Sequence, residues 1–187
     1  DVSDPSSVQA WLKATVEKFG RLDGAANVAG SASKCSAYDS RVINQNDYDW
    51  DRMIRNLTGT MYCMREEMRH MARGGSIVNV ASFTGLQGLA KFSAYSAAKH
   101  GVIGLTKSAA KEMGQAGIRV NVAIPGNIDT PMLQNLVQLG NDGIHNTVAS
   151  TPIPRLADSK EVASVIAFLL SEEASFLRAL CMLLTGA

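Results

Sequence analysis

The feature that most constrains the fold is the unit running from Ser76 past Lys99. The run Ser76-Ile77-Val78-Asn79-Val80-Ala81 has the length and β-branched content of a buried strand, expected over 76–82. A loop punctuated by Gly85 and Gly88 follows, and a helical segment from about Phe92 to Gly114 closes the unit. Tyr95 and Lys99 are four residues apart on that helix, so they share a face, one turn from each other. A phenol with its ordinary pKa of about 10 is a poor acid or base at neutrality, and a neighbouring cation stabilises its ionised form. The spacing therefore predicts that Lys99 lowers the pKa of Tyr95. Ser82, at the end of the strand, can hydrogen-bond a substrate carbonyl if it faces the same cleft.

The chain before this unit begins with Asp4 as an N-cap and Pro5 at the first helical position. Val8, Trp11, Leu12, Val16 and Phe19 recur at helical spacing as one core-facing stripe, and Gly20 is a terminator. Leu22 to Val28 reads as a short strand of small residues leading to Gly30, a composition that lets backbone approach a ligand closely. Residues 31–46 read as loop. A long helix is expected from about Asp47 to Arg73, with Trp50, Ile54, Leu57, Met61, Met64, Met68 and Met71 as its apolar stripe. Asn56 interrupts that stripe, and a polar side chain at a buried face must find partners. His70 reads as a surface residue. His100 points about 100° around the helix from Lys99 and reads as a surface or interface residue.

Beyond the central unit, Ile118 to Ile124 is a further strand, and Pro125-Gly126-Asn127-Ile128-Asp129-Thr130-Pro131 leaves its end. Residues 131–157 mix apolar and polar side chains. Asp158 is an N-cap for a helix through Val162, Val165, Ile166, Phe168, Leu169 and Leu170.

The chain's 187 residues fit one domain, taken as 1–187. With 46% hydrophobic and 19% charged residues and a net charge of +1, neither disorder nor a nucleic-acid or membrane partner is indicated. Cys35, Cys63 and Cys181 are scattered, which argues against a disulfide framework or a metal site and makes a reducing cytoplasm the simplest location.

In order and spacing, Asn27-Val28-Ala29-Gly30, Asn56, Ser82, Tyr95 with Lys99, and Pro125-Gly126 resemble the short-chain dehydrogenase/reductase family, over nearly the whole chain. The resemblance implies an α/β fold, a Rossmann-like doubly wound parallel sheet. It implies an NAD- or NADP-dependent oxidoreductase interconverting a ketone and a secondary alcohol. In that scheme Tyr95 transfers the proton, Ser82 orients the oxygen, Lys99 serves Tyr95 and the ribose, and Asn56 supports a water-linked proton relay. Asp1 falls where the family contacts adenine, with the Val2 backbone beside it, although as a turn residue Asp1 needs no such role. Asn27 takes a structural hydrogen-bonding role, and Ala29 and Gly30 lie against the ribose. Pro125 and Gly126 lie against the nicotinamide, with the Ile128 backbone and the Thr130 hydroxyl on its carboxamide. Residues 131–157 resemble a substrate lid, whose apolar content favours a small lipophilic carbonyl or alcohol. The Met-rich helix and the Tyr-bearing helix imply a homodimer or homotetramer.

Two departures stand out. The family's first strands and glycine-rich turn would precede Asp1, so the N-terminal strands of the sheet are absent from this sequence, which reads as an excerpt of a longer polypeptide. Residues 175–187 match the family's terminal strand poorly. Two other readings stay open: a non-redox isomerase or lyase using the same Tyr and Ser, and a catalytically silent binding subunit.

Overall fold

The structure is a computed structural model and describes residues 1–32, 41–138, 148–149 and 151–185. Cys35 and part of the expected lid fall outside these residues.

Helix α1 (Pro5–Phe19) begins where Asp4 caps it, with the side chain accepting from the Ser6 N–H, and it ends at Gly20 in the left-handed region, φ 83°. It buries Val8 and Leu12 against Cys63 of the next helix. Trp11 and Phe19, expected in the core, are instead 50% and 69% exposed. A lone helix packing on one neighbour buries a narrow stripe, and the positions flanking it stay in water.

Strand β1 (Leu22–Asn27) leads by way of residues 28–46 to α2 (Asp47–His70), capped by the Asn46 side chain accepting from the Asp49 N–H. The buried face of α2 carries Met53, Asn56, Thr60, Cys63, Met64 and Glu67. It is rotated from the expected methionine stripe, and Ile54, Met61 and Met68 lie half-buried at its margin. α2 stops at His70, short of the expected Arg73, because Met71 already belongs to β2 (Met71–Val80). Leu22 pairs with Met71 and Gly24 with Ser76, so β2 contains a bulge in which Gly74 adopts φ 88°. The strand therefore extends well before the apolar run that announced it.

A loop joins β2 to α3 (Ser93–Glu112), followed by β3 (Arg119–Pro125), the short β4 (Ile128–Asp129), α4 (Pro131–Gln138), β5 (Ala157–Asp158), α5 (Ser159–Leu170) and β6 (Cys181–Leu184). The main sheet has the order β1-β2-β3-β6, and every neighbouring pair is parallel. A strand thus forms where residues 175–187 gave a poor match. Asn121 of β3 secures its approach: the Asn121 Oδ1 accepts from the Leu180 N–H at 3.0 Å, and its Nδ2 donates to the Leu177 carbonyl.

Alternation along the strands feeds two apolar layers. Ile77, Val120, Val122 and Ile124 face α2 and α3. Val78 and Ala123 face Leu169 of α5. Helices on both faces of a parallel sheet make this the expected α/β, Rossmann-like doubly wound architecture. On the α5 side, Arg119 is buried and donates to the carbonyls of Leu169, Leu170, Ser171 and Ala174, collecting the free end of the helix. At its other end α5 has a capping box of Asp158 and Glu161.

Candidate active site

The carboxyl ends of β1, β2 and β3 open on one side of the sheet, where parallel α/β proteins bind ligands. Ser82 lies two residues past β2 in extended backbone, φ −165°, and its Oγ accepts from the Thr84 N–H at 3.3 Å, starting the turn that leads to α3. Gly85 lets that turn lie on α3: a Cβ there would stand 2.8 Å from the backbone C and O of Lys99. The close approach brings Ser82 to the first two turns of α3, where Tyr95 and Lys99 share a face.

Ser82 and Tyr95 line the same cavity, close enough for the Ser82 side chain to pull the phenol's pKa down. The Lys99 ammonium is buried, donates to the Val80 carbonyl at 2.9 Å, and lies 5.7 Å from the centroid of the Tyr95 ring. Burial pushes Lys99 down to about 8. Burial also raises the Tyr95 phenol above its ordinary value, and the Ser82 side chain opposes it. The net direction is thus upward, opposite to the lowering expected from the Tyr95–Lys99 spacing. The ammonium is engaged by Val80 and set over the ring, and desolvation dominates the phenol.

Asn56 and Lys99 both reach the exit of β1. The Asn56 Oδ1 accepts from the Ser31 N–H at 2.9 Å, and its Nδ2 donates to the Ser31 carbonyl at 2.9 Å. Its amide is thus committed to a backbone partner to which the sequence alone did not point. A Cβ on Gly30 would meet the Asn56 Oδ1 at 3.6 Å and the Lys99 Nζ at 3.7 Å, so the glycine leaves a cradle between the two.

These groups border a cavity of about 630 Å³. Its lining includes Gly30 and Ser31 from the exit of β1, Ser82 from the exit of β2, Tyr95 and Lys99 of α3, and Pro125, Gly126, Ile128 and Thr130 from the exit of β3. Phe83, Leu89, Phe92, Met132, Leu133 and Leu136 form an apolar rim. Among the described lining residues, Lys99 is the charged one. Thr130 Oγ1 accepts from the Leu133 N–H at 3.3 Å and so starts α4, which carries Met132, Leu133 and Leu136 over the opening. The β4–β5 pair, Ile128 with Ala157 and Asp129 with Asp158, ties this part of the lining to the start of α5. A neighbouring cavity of about 670 Å³ shares Phe83, Gln87, Gly126, Asn127 and Ile128 with the first, and holds none of Ser82, Tyr95 and Lys99.

Other expected site residues lie elsewhere. The Asp1 carboxylate accepts from the Ser3 N–H and hydroxyl, both at 2.8 Å, in an exposed turn, and Val2 packs against Gly59 of α2. Neither lines the cavity, and nor does the exposed Ala29. Asn27 is buried behind it, donating to Glu67 Oε2 and Asn79 Oδ1, each at 2.9 Å. Among the described residues no three His, Cys, Asp or Glu side chains cluster to hold a metal.

Comparison with known proteins decides the family. A family model described as Enoyl-(Acyl carrier protein) reductase matches residues 1–184. Short-chain dehydrogenase/reductase ABA4 of Pyricularia oryzae is 46% identical over 183 residues, 94% of this chain and 66% of its own. The chain belongs to the short-chain dehydrogenase/reductase family. Levodione reductase of Leifsonia aquatica is 38% identical over 194 residues, 100% of this chain and 71% of its own. The solved structure of ElxO with NADP bound superposes with a TM-score of 0.88 at 35% identity, covering 100% of this chain and 75% of that one. The chain thus spans about two thirds of the length of the first of these relatives.

The short-chain dehydrogenase/reductase family implies a nicotinamide dinucleotide, and part of the site fits one. The Gly30 cradle beside a buried ammonium suits a ribose, and the Pro125–Gly126 part of the lining suits a flat ring. The described residues thus fit the nicotinamide riboside half of the cofactor.

Proposed function

We propose that the protein is an NAD(P)-dependent oxidoreductase that interconverts a ketone and a secondary alcohol on a small lipophilic substrate. The observation that carries this reading is the convergence of Ser82, Tyr95 and the buried Lys99 on one cavity whose other described lining residues are uncharged.

Bound NADP or NAD supplies or takes up the hydride. Gly30 and Lys99 would hold the nicotinamide ribose, and Pro125, Gly126, Ile128 and Thr130 would lie against the nicotinamide and its carboxamide. Ser82 donates a hydrogen bond to the substrate oxygen and fixes it beside the Tyr95 hydroxyl. Tyr95, whose raised pKa keeps it protonated at neutrality, donates its proton to that oxygen during reduction and recovers it during oxidation. Lys99 balances the charge left on the phenolate, and Asn56 holds the Ser31 backbone that shapes the ribose cradle.

The apolar side chains that line the cavity, Phe83, Leu89, Phe92, Met132, Leu133 and Leu136, favour a neutral ring ketone or alcohol, and the name levodione reductase on one relative supports a carbonyl substrate. Residues 131–157 act as the lid of a single domain comprising 1–187. The half-buried Ile54, Met61 and Met68 favour self-association as a homodimer or homotetramer, and the free thiols of Cys63 and Cys181 favour the cytoplasm. No helix among the described residues is long and apolar enough to cross a membrane.

The test is to follow nicotinamide absorbance with cyclic ketones for wild type and Tyr95→Phe. The variant is expected to lose about 10²- to 10⁴-fold in turnover, with an unchanged circular dichroism spectrum. A wild-type rate in the variant would sink the assignment. Product formation without an absorbance change would replace it by non-redox chemistry.

A further inference from the structure

Glu67 of α2 is 1% exposed and takes no part in the mechanism above. Its Oε2 accepts from the Asn27 Nδ2 at 2.9 Å, and its Oε1 has no hydrogen-bond partner. The same Asn27 amide donates to the Asn79 Oδ1, and the Asn79 Nδ2 donates to the Thr106 Oγ1 at 2.9 Å. A buried chain of polar side chains thus joins α2, β1, β2 and α3, the elements that carry or lead to Asn56, Gly30, Ser82, Tyr95 and Lys99. Asn79 immediately precedes Val80, whose carbonyl holds the Lys99 ammonium. Asn27 stands at the end of β1, just before the Gly30 cradle.

Among the described residues no cation pairs with this carboxyl. Its neighbour Glu66 is also buried but is paired with Arg69 at 2.7 Å and Arg65 at 3.3 Å. Lys13 of α1 pairs with Glu17, Lys18 lies over the Phe19 ring, and Arg21 pairs with Asp23 ahead of β1. Arg73 of β2 and Lys107 and Lys111 of α3 are exposed. The other titratable group beside it is the Cys63 thiol, one turn earlier, which burial and then the Glu67 charge push up to about 11. An ionised carboxylate offers about four acceptor sites, and here one donor meets them. The neutral acid is far less costly to bury.

We propose that Glu67 works as a neutral acid and is a positioning residue: through Asn27 and Asn79 it sets the β1 exit and the Val80 carbonyl around Lys99, and its ionisation loosens both and weakens binding of the nicotinamide ribose. The proposal rests on the nicotinamide-dependent reading above. Burial pushes this carboxyl up to about 7, against the pull of the Asn27 hydrogen bond. A carboxyl raised in the folded state binds more protons there than in the unfolded chain. Its burial is therefore free of penalty below its unfolded value, and stability falls as pH rises from about 4.5 to about 7.

The test measures thermal midpoints and NADPH affinity of the intact protein from about pH 5 to about pH 8.5, for wild type, Glu67→Gln and Glu67→Met. The wild-type midpoint is expected to fall by about 5–10 °C more than that of Glu67→Gln across the range. Its NADPH dissociation constant is expected to rise several-fold more. Infrared spectra of the wild type should show a carboxylic-acid carbonyl band that fades as pH rises through about 7 and is missing in Glu67→Gln. That measurement needs no variant to judge the protonation state of the wild type. Parallel midpoint curves, or a wild type without that band, overturn the proposal. Diverging midpoints with parallel NADPH affinities overturn the positioning role and leave Glu67 a structural acid. Absence of NADPH and NADH binding in all three forms, with midpoints still diverging, sinks the oxidoreductase reading and the positioning role together.

Discussion

Lys99 shows at the scale of one residue how the site trades stability for chemistry. Its ammonium is buried with one carbonyl acceptor, and burial holds it down to about 8 from an ordinary 10.5. A lysine whose folded value is lowered binds fewer protons in the folded than in the unfolded state between those limits, so its penalty is full below about 8 and relieved as pH rises toward 10.5. Replacing Lys99 by Met should therefore stabilise the protein by on the order of 1–3 kcal/mol near pH 7, with the gain shrinking toward pH 10, while turnover collapses. Urea titrations at the two pH values check the sign. Tyr95, Lys99 and Ser82 were legible because a four-residue spacing on a helix and a strand end are local facts. The raised phenol was not, because desolvation depends on what covers a side chain from other parts of the chain. Glu67 was likewise hidden: an acidic residue within Arg65-Glu66-Glu67 reads as a solvated face, and its burial appears once β1 packs against α2.

The elements around the site are joined by close approaches that glycine permits. At Gly85 an added Cβ would stand 2.8 Å from the backbone of Lys99, and backbone cannot give way as a flexible side chain can. Gly85→Ala should push the loop off α3, costing about 1–3 kcal/mol and separating Ser82 from Tyr95, with a corresponding fall in turnover. Gly88, in the same loop, has nothing within 4 Å of that position, so Gly88→Ala should stay within about 1 kcal/mol of wild type. Thermal melts and initial rates of the two variants, compared side by side, decide whether contact or mere loop stiffness matters. The order of elements could be read from caps and periodicity: Asp4, Gly20 and Asp158 each stand where a helix starts or stops. What failed was the extent of pairing and burial. Met71 continued a helical stripe, yet it pairs with Leu22, and Cys181–Leu184 becomes a strand because β3 offers it an edge. Both outcomes are set by a partner distant in sequence.

For the whole molecule, burial is uneven across the sheet. In β3, residues 119–124 are buried at every position, as are residues 75–79 of β2, whereas residues 71–74 at the start of β2 are half-buried to exposed. Amide hydrogen exchange should accordingly be slowest in residues 119–124 and 75–79 and faster in residues 71–74, since local opening follows the density of buried contacts. An exchange map with residues 71–74 as slow as residues 119–124 would contradict this gradient. The all-parallel order also bears on how the chain reaches this state. Asn27 and Asn79 are 52 residues apart along the chain, and Asn121 and Leu180 are 59 apart, so no strand can find its neighbour through a hairpin. Each pairing must close a long loop before any sheet contact compensates for the lost chain freedom. Helices form first under such conditions, and the apolar strands wait unpaired beside one another. The same topology that aligns β1, β2 and β3 behind one cavity thus makes acquisition of the native state slow and leaves its intermediates prone to association.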